Sequence, residues 1–163
     1  YSLTLQGNSC SLVFSNLVLE WCNDLSRVFA EAHRVLAAGG CFVCSSLGPA
    51  TLCELKEAWQ QVDDYVHVNQ FVDKQQIVAA ATDAGFDCHN YDEKIVVSYS
   101  QVKDLTRTLK SLGANNMNQA RPKGLTGRRN LQKMLGYYER FRDEQGALPA
   151  TYEAYYFLLR KMK

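Results

Sequence analysis

The sequence predicts an α/β fold built on a parallel sheet. Strand-like and helix-like segments alternate from the start of the chain. The clearest early strand, CFVCSSL at 41–47, is apolar on both faces, as expected of a strand covered on two sides. A chain of 163 residues with 47% hydrophobic and 21% charged residues is enough for one domain with a real core.

The elements follow in order. Residues 11–16 read as a short buried strand. Asn23 or Asp24 caps the next helix, whose apolar positions Leu25, Val28, Phe29, Ala32, Val35 and Leu36 recur at helical spacing. Gly39-Gly40 is expected to end that helix, because glycine tolerates a left-handed C-cap, and the strand at 41–47 comes next. Gly48-Pro49 breaks the strand. Thr51 is expected to cap a helix carrying Leu52, Leu55, Ala58 and Trp59. Residues 63–72 read as an ordered loop. Asp73 caps a helix through Ala84 that Gly85 closes, and 86–99 is extended.

The second half adds a helix from Val102 to Leu112, a polar loop at 115–124, and a helix from Thr126 to about Glu144. Gly146 to Pro149 turns the chain. Residues 152–161, YEAYYFLLRK, fit a strand or a terminal helix. Strand is preferred, because Tyr and Phe suit a pleated surface. The order is β-α-β-α-α-β-α-α-β.

Composition narrows the function classes. With 18 basic and 17 acidic residues, no whole-chain field favours nucleic acid. Cations do cluster between Lys103 and Arg142, either as a solvated helical surface or as a face for an acidic partner or a phosphate. The six cysteines sit mostly in apolar segments, which suits reduced thiols and a cytoplasmic location. Cys41 and Cys44 match CxxC, but on a strand their sulfurs diverge and no second pair completes a metal site, so no metal ligands are assigned. No apolar run has the length of a membrane span.

The segments VFSNLVLEW and AHRVLAAGGCFVCSSL resemble the middle of a class I methyltransferase dependent on S-adenosylmethionine. TLCELKEAWQQVD, NQFVDKQQI, LKSLGANNMNQAR, LTGRRNLQKM and LPATYEAYYFLLRK then resemble, in order, the malonyl-acyl-carrier-protein O-methyltransferases of biotin synthesis, over essentially the whole chain. Two positions depart from that pattern. Cys10-Ser11 replaces an aromatic-Asp pair, and Ala37-Ala38 replaces Lys/Arg-Pro before the double glycine.

The resemblance implies the C-terminal half of a Rossmann-like class I methyltransferase sheet with a helical cap inserted at about 101–145, the core being 1–100 and 146–163. In such enzymes a first βαβ unit with a Gly-rich loop supplies much of the cofactor site. None of the ten glycines here forms a GxGxxG, so the chain is expected to bind S-adenosylmethionine weakly and to be inactive without an N-terminal half. The alternative is a non-catalytic remnant that dimerises or binds a carrier protein. The first strand is expected to leave an apolar edge, to be covered by a second copy, a swapped segment or an N-terminal chain.

The resemblance also implies site residues. Ser15, Asn16 and Leu17, at the carboxyl end of the first strand, are expected to line the cofactor pocket. Trp21 either covers that pocket or anchors the fold as a core aromatic. Arg34 either pairs with a neighbouring acid or grips the free malonyl carboxylate. Lys110 and Arg121 are expected to meet the substrate, and Arg128 and Arg129 to dock an acidic acyl carrier protein. Tyr65, His67 and Asn69 are candidates for a substrate tunnel. No catalytic residue is assigned, because an ionised carboxylate attacking a sulfonium methyl needs no general base.

Overall fold

The computed structural model describes residues 2–112 and 127–162. The elements are β1 (Cys10–Ser15), a 3-10 turn (Leu19–Trp21), α1 (Leu25–Val35), β2 (Leu36–Leu47), α2 (Cys53–Gln60), α3 (Lys74–Asp83), β3 (Phe86–Tyr99), α4 (Val102–Ser111), α5 (Arg128–Tyr138), a second 3-10 turn (Glu139–Phe141) and β4 (Leu148–Lys161). The order read from the sequence is the order observed, and 152–161 is strand. The sheet runs β1-β2-β4-β3. β1 and β2 are parallel, whereas β4 lies antiparallel to β2, with Cys44 opposite Phe157. The expectation of a parallel sheet therefore holds at β1 and β2 and fails at β4, because apolar periodicity reports burial and carries no strand direction.

The chain forms two compact units. One comprises 1–49, 71–93 and 153–163, the other 50–70 and 94–152. In the first, α1 and α3 pack on β2, β4 and the start of β3. Phe29, Ala32, Leu36, Phe42, Ile77, Ala81, Phe86, Phe157 and Leu159 form its core. The Phe29 and Phe42 rings lie 6.0 Å apart. Burying a side chain of this size contributes roughly 1.5–3 kcal/mol.

Asp24 caps α1 by accepting from the Arg27 amide at 3.0 Å. Asp73 caps α3 by accepting from the Gln75 amide at 2.7 Å, and Gly85 follows with φ 91°. α1 does not end at Gly39-Gly40. It stops at Val35 and passes directly into β2. Its last carbonyls are already bonded: the amides of Asn8 and Ser9 donate to Arg34 and Val35 at 2.9 Å, and Lys161 Nζ donates to His33 and Leu36 at 2.7 and 2.8 Å. A glycine cap has no carbonyl left to serve. The two glycines instead form a bulge in β2, where Cys10 faces Leu36 but Leu12 already faces Cys41. Gly39 takes φ 78° there, and a Cβ on Gly40 would stand 2.9 Å from the Ala37 carbonyl oxygen.

β1 is less buried than expected. It is the outer strand of the sheet, and Leu12 and Phe14 are 58% and 71% exposed.

The second unit buries Leu55, Ala58 and Trp59 of α2, Val102 and Leu105 of α4, Met134 and Tyr138 of α5, and Leu148 and Ala150. Thr51 is not the cap of α2. Leu52 occupies that position at φ 55°, and its amide donates to the Thr151 carbonyl. The buried Glu54 carboxylate ties the start of α2 to Thr151 through the Thr151 amide and hydroxyl. The helix expected to reach Glu144 stops at Tyr138. Asp143 folds the following chain into a turn by accepting from the amides of Gln145 and Ala147. Thr126, its expected start, lies outside the described residues.

Candidate functional site

In the first unit, the carboxyl ends of the parallel strands β1 and β2 bring together two sequence segments. Ser15 pairs with Cys44, so Asn16 and Leu17 emerge beside Ser45 and Ser46. The crevice beyond the carboxyl ends of parallel strands is where open α/β sheets bind ligands. Here the buried Ser45 hydroxyl donates to Asn16 Oδ1 at 2.6 Å and accepts from the Leu17 amide at 3.0 Å. The turn it fixes is strained, since Leu17 sits at φ 51°. A left-handed conformation costs a non-glycine residue about 1–2 kcal/mol. Such strain persists only where surrounding contacts impose it.

The 3-10 turn after this corner buries Leu19 and leaves Trp21 41% exposed. Between them stands Glu20. The Ser46 hydroxyl donates to its carboxylate, while burial pushes its carboxyl above the ordinary range. Its second oxygen, Oε2, is buried and has no hydrogen-bond partner among the described residues.

Beside the corner, Val13, Ser15, Val28, Ala32 and Phe42 line an open, mostly apolar pocket of about 320 Å3. Nearby, Gly48 leaves room for the buried Tyr155. A Cβ there would stand 2.4 Å from the Tyr155 ring.

The sequence points to Ser15, Asn16, Leu17 and Trp21 at this corner, and the structure adds Ser45, Ser46 and Glu20 beside them. The signals were two serines ending an apolar strand and an acid set between Leu19 and Trp21. Arg34 has close partners: its guanidinium pairs with Glu31 at 2.8 Å and donates to the carbonyls of Leu3 and Leu5 at 3.2 and 2.9 Å.

The second unit has its own pocket of about 320 Å3, lined by Lys56, Trp59, Asp63, Tyr65, His67 and Gln70 among others. The His67 ring stacks on Trp59 at 3.7 Å, and its Nε2 lies 2.7 Å from Asp63 Oδ1. Two of the three residues suggested for a tunnel, Tyr65 and His67, thus share a pocket. Asn69 is half-buried. Lys110, in the last turn of α4, and Arg128 and Arg129, at the start of α5, are exposed. Arg121 lies outside the described residues.

Comparison with known proteins follows the same lines. A family profile described as a methyltransferase domain matches residues 1–44. The chain is 47% identical over 161 residues to the biotin biosynthesis bifunctional protein BioHC of Cellvibrio japonicus, covering 98% of this chain and 32% of that protein. It is 44% identical over 155 residues to the malonyl-acyl-carrier-protein O-methyltransferase of Nitrosospira multiformis, covering 94% of this chain and 50% of the relative. The chain thus spans a third to a half of the length of these curated relatives. The fold matches the YcgJ protein of Bacillus subtilis, with a TM-score of 0.62 at 10% identity over 99% of this chain and 68% of that one. It also matches a S-adenosylmethionine-dependent methyltransferase of Methanosarcina mazei, with a TM-score of 0.54 at 12% identity over 99% of this chain and 63% of that one. The α/β fold is that of the class I methyltransferases.

Proposed function

We propose that this chain, a homologue of the malonyl-acyl-carrier-protein O-methyltransferases over nearly all its length, acts in a S-adenosylmethionine-dependent carboxyl O-methyltransferase. Its substrate is the free carboxylate of a malonyl group carried on an acyl carrier protein, and the step belongs to biotin synthesis in the cytoplasm. The observation that carries this reading is the 44% identity to a relative of that name along 155 residues, which runs through both units.

S-adenosylmethionine, when bound, supplies an electrophilic methyl group. The corner of the first unit fits such a donor. It offers the polar Asn16 and Ser15 with the exposed face of Trp21, and the unpaired buried oxygen of Glu20 suits a cationic molecule rather than an anionic one. The carboxylate of a malonyl group is ionised near neutral pH and is already a nucleophile. The residues here therefore need only align it and exclude water. Lys110 and Arg121 are the cations assigned to the malonyl carboxylate, since an ion pair leaves its electron pair in place. Arg128 and Arg129 would meet the acidic carrier. In this reading Arg34 holds the N-terminal segment through Leu3 and Leu5, its Nη2 donating to those carbonyls and its Nε to Glu31.

The test is to mix the chain with a separately expressed Gly-rich N-terminal half, to add S-adenosylmethionine and either malonyl- or acetyl-acyl carrier protein, and to measure methyl ester by mass spectrometry. Ester on the malonyl form alone is expected, because only that form has a free carboxylate. No transfer, or equal transfer to both, refutes the reading.

A further inference from the structure

Glu20 enters the reading above only through the sign of its charge. Its carboxylate is anchored on one side, where the Ser46 hydroxyl and a backbone amide donate to it, and Ser46 itself is 2% exposed. The other side is different. Oε2 is shielded from water, and none of the described residues donates to it. Buried acceptors in folded proteins nearly always have a donor, and an unpaired one calls for a physical reason. A side chain oriented by Ser46 with one oxygen free is the arrangement of a receptor whose donor comes from outside the described residues.

The chemistry of that donor is constrained. It must carry N–H or O–H protons, because an acceptor is what lies unpaired. It must be neutral or positive, because a carboxylate repels an anion in a poorly solvated site. The malonyl end of the proposed substrate is an anion and is excluded. The sulfonium of the methyl donor is positive but has no proton to give. A carboxylate against it would also stabilise the ground-state charge that methyl transfer removes. The methyl donor offers three such groups, the ribose hydroxyls, the adenine amine and the α-ammonium; the ammonium, a cation with three N–H donors, is the one a carboxylate binds most strongly.

We propose that Glu20 is a positioning residue for the methyl donor, its Oε2 receiving the α-ammonium group while Ser46 holds the carboxylate in place. The assignment rests on the S-adenosylmethionine reading given above. It adds a residue five positions beyond Ser15 to that site and gives a task to the one acid in an otherwise apolar turn, LVLEW.

Calorimetric titration of the full chain with three probes tests it. S-adenosylmethionine has both cationic groups, S-adenosylhomocysteine keeps the ammonium with a neutral sulfur, and methylthioadenosine has neither. Glu20→Gln is expected to weaken binding of the first two about ten-fold or more and to leave the third unchanged. Melting of the ligand-free protein supplies the second readout. Neutralising a carboxylate one of whose buried oxygens has no donor should leave the melting temperature of Glu20→Gln equal to or above that of the unaltered chain, whereas a merely structural carboxylate would lower it. A loss confined to S-adenosylmethionine, an equal effect on all three probes, unaltered binding, or a lowered melting temperature overturns the assignment. If the unaltered chain binds none of the three, the methyl-donor reading falls and this assignment falls with it. If it binds them and Glu20→Gln binds equally well, only the assignment falls.

Discussion

Ser45 Oγ lies 2.6 Å from Asn16 Oδ1 and 3.0 Å from the Leu17 amide, so one hydroxyl joins the ends of two parallel strands and fixes a strained residue between them. Its proton goes to Asn16, and its lone pair accepts from Leu17. The same atom therefore sets both the direction of the Asn16 side chain and the left-handed turn that follows.

Ser45→Ala is expected to destabilise the protein by about 1–2 kcal/mol, the sum of two modest hydrogen bonds. It should also weaken S-adenosylmethionine binding, because Asn16 and the Leu17 backbone lose their orientation. Denaturant unfolding and calorimetric titration measure the two effects. An unchanged unfolding midpoint would show that the turn holds without the hydroxyl.

What the sequence revealed and what it concealed divide along the distance between partners. Asp73 and Gly85 were legible as the ends of α3 because their bonds lie within two or three residues of themselves. Gly39-Gly40 misled, because the α1 carbonyls are taken by Asn8, Ser9 and Lys161, the last 128 residues from His33 along the chain. Thr51 misled for a similar reason: the start of α2 is organised by Thr151 and Glu54, 97 residues apart. At the candidate site Ser15 and Asn16 announced themselves by ending an apolar strand. Glu20 did not, because whether a carboxylate oxygen is left unpaired depends on the whole fold around it.

The ion pair between Glu31 and Arg34 makes a prediction about pH. Hydrogen bonds from the Arg34 guanidinium, and then from the Leu3 amide, pull the Glu31 carboxyl down to about 2 from an ordinary value of 4.5. A carboxyl depressed in the folded state adds stability that is complete above its unfolded value and disappears as pH falls toward the folded one. Glu31→Gln should therefore melt lower than the unaltered chain above pH 4.5, and the two curves should converge as pH falls to about 2. The Arg34 side chain is 43% exposed, so the gap should be small and should shrink in high salt. Hydrogen exchange at Leu3 should quicken in the variant, because Glu31 Oε1 is the acceptor for that amide at 2.7 Å. Parallel melting curves at all pH values would show that the pair contributes nothing.

Arg128 and Arg129 open α5 in a way that intrinsic stability does not favour. The first turn holds no acid, the N-cap is Gly127 with no side-chain cap, and both arginines are exposed. Cations at the positive end of a helix are unfavourable by about 0.3–1 kcal/mol each. A pair kept against that cost suits binding of an acidic partner. The double substitution Arg128→Gln with Arg129→Gln should accordingly stabilise the protein by about 0.5–2 kcal/mol. It should also slow association with malonyl-acyl carrier protein and flatten the dependence of that rate on salt, since opposite charges steer encounter over a screening length of about 10 Å at 0.1 M ionic strength. Thermal melts and stopped-flow association at two salt concentrations measure both sides of the trade. If the double variant melts lower and associates at an unchanged rate, the arginines serve the fold, and the carrier docks elsewhere.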